Sequence, residues 1–488
     1  MNHRLTNAEA ACRSCGIDSG IFVRLLRGHP QNKPWSTGRR ILDLEIARRL
    51  CGRHVLEHRA GLLDLRTLPP EELMRIGVLS QWFDPEPGPA SLPGVLARGL
   101  ADRGHDVHVL TGFPNYPDGQ VAAGYQIRRR FDETLGNVHV RRVALYPSHD
   151  SSVLRRTLTY GSFAASALLS GIERLRGMDA VWVGNSPVTV AAPMWWIRYR
   201  HQVPVLLHVL DLWPDNVAAS GFMGNGGLRA VEGVLSSWCG HMYRAASSVA
   251  YISPGVGRLL QGRGVPADKL TYIPLWADEH PTHATARSMR AELGLDESHV
   301  VLVYAGTLGG AQGLESLVDA CAKVDDPNFR CLVAGSGVSE ADLRRRARDV
   351  GATNVRFLGR VPKERVPALM ATGDIHYVSL RPSAMAAYTM PSKVQATLAA
   401  GKAMLVAADG DVASVARESG AGIAVGPADP AKVLDGIRQA TVLGRGNLRL
   451  LGERGRDYYH RTFSAETGVG RVESALQRIA RQEKTHAG

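Results

Sequence analysis

The chain has 488 residues, of which 44% are apolar and 21% charged, a composition and length that predict a globular protein of two domains with extra segments. The net charge of +12 favours anionic partners, but the basic residues form no dense block and no nucleic-acid motif occurs, which excludes a nucleic-acid binder. No apolar run reaches the roughly 18 residues that span a bilayer, the N-terminus lacks a signal peptide's apolar core, and six scattered cysteines make no disulfide framework. A cytoplasmic protein with reduced thiols is expected, with a peripheral contact at the cytoplasmic face of the membrane left open.

Residues 1–73 show no strand–helix alternation and are expected to be an N-terminal extension of unknown role. Its Cys12 and Cys15 form a CxxC, but no second pair follows to complete a zinc site. From Met74 the text changes to "MRIGVLSQWFDPEPGPASLPGVLARGLADRGHDVHVLTG". A strand, a Gly/Pro loop, a helix, a glycine turn and a second strand open a doubly wound α/β domain. Further strands are predicted at 180–185, 203–211, 248–253 and 270–275, so this domain covers 74–276. Residues 277–298 are polar and read as a linker. A second series follows, with strands at 299–306, 329–335, 354–359, 374–380, 403–408 and 421–426, giving a domain over 299–455 and a helical segment over 456–488. Two Rossmann-like domains in series predict a cleft between them, with ligand at the carboxyl ends of the strands.

Several motifs fall at those strand ends. "YAGTLGGAQGLESLVDAC" places Gly306, Thr307, Gly309, Gly310 and Gln312 where a strand gives way to a helix. Glycines there allow close backbone approach, and free N–H groups favour a phosphate; a plain βα turn has the same look. "HVLDLWPDN" puts His208 on a strand and Asp211 at its end, with Trp213 following, and reads either as site residues or as a core histidine and a turn cap. "FPNYPDG" brings Asn115 and Tyr116 into a stiff loop that shapes an acceptor pocket or is an ordinary turn. In residues 151–175, Arg155 and Arg156 flank an apolar helix that fits an anionic membrane surface and equally a protein core. "DGD" at 409–411 has the spacing of a metal-held diphosphate site but sits at a turn, and is read as a turn. "TMPSKVQATLAAGKAML" carries Lys393 at a helix start with no acid in the stretch. An anionic ligand would supply the missing partner there; a lysine pointing to water is the plain alternative.

Taken together, "RIGVLSQWFDPEPGPA", "RGHDVHVLTGFPNYPDG", "HVLDLWPDN", "YISPGV", "IPLWAD", "AGTLGGAQGLE", "NVRFLGRVP" and "MPSKVQATLAAGKAM" resemble, in order, glycosyltransferase family 4 with its GT-B fold. Within it the chain is similar to the O-antigen and colanic-acid type, which includes L-fucosamine transferases. The resemblance implies a fold of two doubly wound domains facing each other across a cleft. It also implies retaining transfer from a nucleotide sugar, usually a UDP-sugar, to a saccharide or lipid-linked acceptor, here expected to move an N-acetylated or deoxy hexosamine. No cofactor and no metal are expected. The implied roles are His208 and Asp211 orienting the attack and Lys393 steadying the leaving diphosphate. Gly306, Thr307, Gly309, Gly310, Gln312 and Ser392 would meet the donor, and Gly88, Asn115, Tyr116 and Trp213 the acceptor. The chain departs from the family in its phosphate loop, which has Thr307, Gly310 and Gln312 and no Arg or Lys. Tyr388 and Ala396 stand where many members carry glutamates, while Pro391-Ser392-Lys393 is kept. Two other readings remain at this point: a sugar-nucleotide 2-epimerase of the same fold, and a degenerate GT-B subunit that binds a partner enzyme.

Overall fold

Apolar, β-rich runs such as "VVLVYA" and "AMLVA" bury both faces, which suits central strands of parallel sheets covered by helices. The computed structural model describes residues 73–148, 152–215, 225–277, 279, 286–427 and 429–487. These lie in the unit Leu68–Gly488. The expected extension, with Cys12, Cys15 and Cys51, lies outside the described residues except for Leu73.

The first sheet contains β1 (Arg75–Leu79), β2 (Asp106–Gly112), β3 (Arg130–Leu135), β4 (Val138–Val143), β5 (Ala180–Gly184), β6 (Val205–Val209), β7 (Ser248–Tyr251) and β8 (Leu270–Tyr272). Its order is β3-β4-β2-β1-β5-β6-β7-β8, parallel throughout except for the β3–β4 hairpin. The second sheet contains β9 (Val300–Ala305), β10 (Phe329–Ala334), β11 (Val355–Gly359), β12 (Ile375–Ser379), β13 (Ala403–Ala407) and β14 (Gly422–Ala424), all parallel, in the order β11-β10-β9-β12-β13-β14. In each sheet the strand order reverses beside one strand: β1 lies between β2 and β5, and β9 between β10 and β12. Connections leave in opposite directions there, so a crevice opens beyond the carboxyl ends. The loops after β1, β5, β9 and β12 border these two crevices.

The β3–β4 hairpin was not among the expected strands. Its edge strand β3 alternates exposed and half-buried positions, and charges fill both strands. Those charges are paired across the hairpin, Arg141 with Asp132 at 2.7 Å and Arg142 with Glu133 at 2.5 Å. β4 is anchored by buried Val138, Val140 and Val143 and by its ladder with β2, and the ion pairs secure the polar β3 to it.

The C-terminal region divides its packing between the domains. The helix Pro430–Thr462, bent at Gly444, lays Val433, Ile437 and Leu448 on the second core. The helix Ala465–Ala487 returns to the first domain, where Val469, Val472, Leu476 and Ile479 pack with Ile76, Val78 and Leu96. Among the described residues no helix is long and apolar enough to cross a membrane.

Candidate active site

After β9 the chain turns at Gly306, whose φ of 145° favours glycine. The loop then runs against the loop after β10, with Gly306 N–H donating to Ala334 O at 2.9 Å and Leu308 N–H to Ser336 O at 3.0 Å. A Cβ on Gly335 would lie 1.8 Å from Gly306 O, and one on Gly337 would lie 2.3 Å from Leu308 O. Gly335 and Gly337 are therefore as necessary to this loop as its own glycines, though sequence reading did not single them out. Their signal was the "AGSG" that ends β10. Thr307 and Gly310 are exposed at the rim of the loop. Gln312 is engaged in closing the loop: its Oε1 accepts from Gly309 N–H at 3.2 Å, and its carbonyl accepts from Ser379 Oγ at 2.6 Å.

Lys393 stands in the first turn of the helix Ser392–Ala399, beside the exposed Ser392. Its side chain crosses to the end of β9. The ammonium donates to Tyr304 OH at 2.6 Å and lies 4.0 Å from that ring's centre; Tyr304 OH in turn donates to Thr307 O at 2.5 Å. A Cβ on Gly306 would sit 2.4 Å from Lys393 Cε, so the lysine lies directly against the glycine loop. Burial lowers its pKa to about 8, and among the described residues no carboxylate is paired with it. The geometry thus joins Lys393 to Gly306 and Thr307, residues that are far apart in the chain.

The first-domain residues divide differently. His208 is a core residue. Its ring is fully buried, Nδ1 accepts from Trp182 Nε1 at 3.4 Å, and Nε2 donates to Ile273 O at 2.9 Å. Burial lowers its pKa to about 4 and keeps it neutral. With both nitrogens occupied inside the sheet, it has none left for substrate, so the expected role in orienting the attack passes from it. Asp211 does reach the end of β6. Its carboxylate accepts a short bond from Ser186 Oγ, and Asn185 fixes the turn, donating to Asp211 O at 2.7 Å and accepting from Asp211 N–H at 3.0 Å. Asn185 and Ser186, just after β5, were missed; their position at the end of a strand beside the switch point was the available signal.

The loops expected on the acceptor side are clamped by a residue that sequence reading also missed. Buried Glu86 accepts from the N–H groups of Phe83 at 3.0 Å, Asn115 at 2.8 Å and Tyr116 at 3.0 Å. Burial raises its pKa, against the lowering effect of those three bonds. Asn115 is buried and its amide turns back to Phe113 O at 2.9 Å, so it shapes the loop from within. Gly88 has a φ of 65° and open space where a Cβ would be. Trp213 packs partly on the first core, and its carbonyl accepts from Arg263 at 2.9 Å.

Between the domains, Asp411 accepts from Gly255 N–H at 2.6 Å and from Arg258 at 3.3 Å. The turn of "DGD" is made by Gly410 at a φ of 73°, while Asp411 is a buried acceptor bridging the two domains. Nearby, Ser253 Oγ donates to Tyr388 O at 3.0 Å, and Tyr388 OH lies 3.4 Å from Asp215, which is paired with Arg263. Tyr388 therefore serves the domain interface. Among the described residues no group of three or more His, Cys, Asp or Glu side chains gathers as metal ligands would.

Residues 88–276 match the glycosyl transferase 4-like domain, and residues 286–455 match the glycosyl transferases group 1 domain. The chain belongs to the glycosyltransferases of this two-domain family. WcaI of Escherichia coli K12, described as a colanic acid biosynthesis glycosyl transferase, is 27% identical to this glycosyltransferase over 402 residues, 80% of this chain and 97% of that one. WbjE of Pseudomonas aeruginosa, described as a glycosyltransferase, is 23% identical over 62% of this chain and 76% of its own. Among solved structures, sucrose-phosphate synthase of Thermosynechococcus elongatus superposes with a TM-score of 0.61 at 17% identity, covering 84% of this chain and 99% of its own. Anabaena HepE in complex with UDP and glucose gives 0.57 at 17% identity over 83% and 100%. WaaG, a glycosyltransferase involved in lipopolysaccharide biosynthesis, gives 0.55 at 15% identity over 82% and 99%. The glycosyltransferase has the GT-B fold of these proteins.

Proposed function

We propose that the enzyme transfers a sugar, an N-acetylated or deoxy hexosamine, from a UDP-sugar to a saccharide or lipid-linked acceptor, with retention, in the building of cell-surface polysaccharide. The observation that carries this reading is Lys393: a half-buried ammonium, free of any paired carboxylate among the described residues, laid against the glycine loop after β9. A diphosphate is the ligand that such a cradle suits. Support for UDP as the nucleotide comes from HepE, solved with UDP and glucose on the same fold, and support for the pathway class comes from WcaI.

In this reading the bond from the anomeric carbon to the phosphate oxygen breaks, and negative charge gathers on the departing UDP. Lys393 and the exposed backbone around Thr307 and Gly310 face that charge. The acceptor oxygen bonds to the anomeric carbon from the same side, and its proton leaves with the phosphate oxygen. Asp211, held by Ser186 and Asn185, lies on the acceptor side of the reaction. No metal takes part. Contact with the membrane is made by the helix Val153–Ser166 and its continuation, where Leu154, next to Arg155, and Leu169 are 70% and 78% exposed.

Release of UDP from a panel of UDP-N-acetylhexosamines, with free and lipid-linked saccharides as acceptors, tests the reading. Lys393→Ala is expected to lower turnover by roughly 10- to 1000-fold, the range for one lost transition-state donor. Lys393→Arg recovers only part, since a fork cannot occupy the place of a point charge. A folded Lys393→Ala enzyme with wild-type turnover overturns the proposal.

A further inference from the structure

We infer that Tyr304 is a positioning residue of the donor site, its hydroxyl holding the Lys393 ammonium over Gly306 where a donor diphosphate meets it. This rests on the reading of Lys393 as the diphosphate's cation. Tyr304 lies at the carboxyl end of β9 with its side chain fully buried, opposite Val333 of β10. Its ring is part of the second core together with Leu302, Leu308 and Leu317. A phenylalanine would fill that space as well, so the hydroxyl is the part that packing does not explain. A buried hydroxyl must be paired, and this one is paired twice.

The direction of the two bonds matters. Thr307 O can only accept, so at 2.5 Å it takes the phenol proton. The phenol oxygen then has only lone pairs to offer, and Lys393 donates to it at 2.6 Å. Burial drives the phenol's own pKa well up, so it stays a neutral acceptor. One ammonium proton is thereby spent and two remain for an anion. The missing Cβ of Gly306 leaves the room: an atom there would stand 2.9 Å from Nζ. A carboxylate in Tyr304's place would hold the lysine as firmly but would also neutralise it. A phenol fixes the position and leaves the positive charge uncompensated, the condition in which a buried cation gains most from an incoming diphosphate. The same proton chain ties Thr307, the first residue past the loop's Gly306, to the position of the ammonium.

Calorimetric titration of the full-length protein with UDP tests this in a double-mutant cycle. Tyr304→Phe is expected to weaken UDP binding roughly 10-fold, as for loss of a hydrogen bond to a charged group. Lys393→Ala weakens it at least as much. In the Lys393→Ala background, Tyr304→Phe should cost nothing further, because Tyr304 acts through the lysine. Should Tyr304→Phe fail to fold, Tyr304→Met, which fills the space and likewise removes the hydroxyl, is put through the same cycle and should lose UDP affinity only where Lys393 is present. A Tyr304 variant that binds UDP as the wild type does, or whose loss persists undiminished without Lys393, overturns the inference while leaving the role of Lys393 standing. Wild-type UDP affinity in Lys393→Ala overturns that role itself, and the inference with it.

Discussion

Lys393 is a charge that the fold takes from water and, before any ligand arrives, leaves without a counter-charge among the described residues. Burial lowers its pKa from 10.5 to about 8. The folded state thus binds fewer protons than the unfolded state between those values, so the stability of the ligand-free protein rises with pH across that window. Below pH 8 the full penalty is present, on the order of 3–4 kcal/mol for such a shift. Lys393→Met should therefore make the ligand-free protein more stable at pH 7, with a higher urea midpoint, while lowering turnover as Lys393→Ala does. The gain should shrink as pH climbs from 8 towards 10.5. A Lys393→Met protein less stable than wild type at pH 7 would show that the ammonium is already compensated. His208 marks the opposite case: both of its nitrogens are satisfied inside the sheet, by Trp182 and Ile273, and its neutrality serves the core.

At the scale of elements, the glycine loop after β9 depends on the loop beside it. The β9 and β10 loops run backbone against backbone, which only glycine allows at 335, where φ is 133° and a Cβ would lie 1.8 Å from Gly306 O. Gly335→Ala is expected to cost about 2–4 kcal/mol through backbone strain and steric conflict. Because the conflict falls on Gly306, it should also weaken UDP binding, measurable by titration at a temperature where the variant is still folded. Unchanged UDP affinity in a folded Gly335→Ala protein would mean that the donor loop does not lean on its neighbour. The β3–β4 hairpin shows why some elements escaped sequence reading. The edge strand β3 carries no apolar alternation, and β4 shows only Val138, Val140 and Val143 among its charges; the Arg141–Asp132 and Arg142–Glu133 pairs that complete the hairpin exist only once the strands align. The strands of both central sheets, apolar on both faces, were legible because burial on two sides demands such runs.

For the whole molecule, the two domains meet through Asp411, Tyr388 and the segment Ser253–Arg258, and the acidic groups there are already engaged with protein partners. Transfer is therefore expected to continue in excess EDTA; loss of activity that magnesium or manganese restores would overturn the metal-free reading. The surplus of positive charge and the exposed leucines of the helix Val153–Ser166 predict sedimentation with phosphatidylglycerol vesicles and much weaker sedimentation with neutral phosphatidylcholine ones. Equal recovery with both, or with neither, counts against an electrostatic membrane contact. Leu154→Glu with Leu158→Glu should reduce the bound fraction without altering UDP affinity.

Alone, the amino-acid sequence determined the architecture. Two series of apolar strands and amphipathic helices can bury their faces only as two covered parallel sheets, and the order of the short motifs marked the family. It also placed Lys393 and the glycines of 306–310 at strand and helix ends, because glycine runs and helix starts are local features. The tertiary structure decided which of those residues meet. Lys393 reaches Gly306 and Tyr304 across a separation no local pattern encodes, His208 is sealed by Trp182 and Ile273, and Glu86 closes on Asn115 and Tyr116. Such partnerships depend on where distant strand ends converge. A hydrogen bond is local in space and not in sequence, so only the folded chain could assign them.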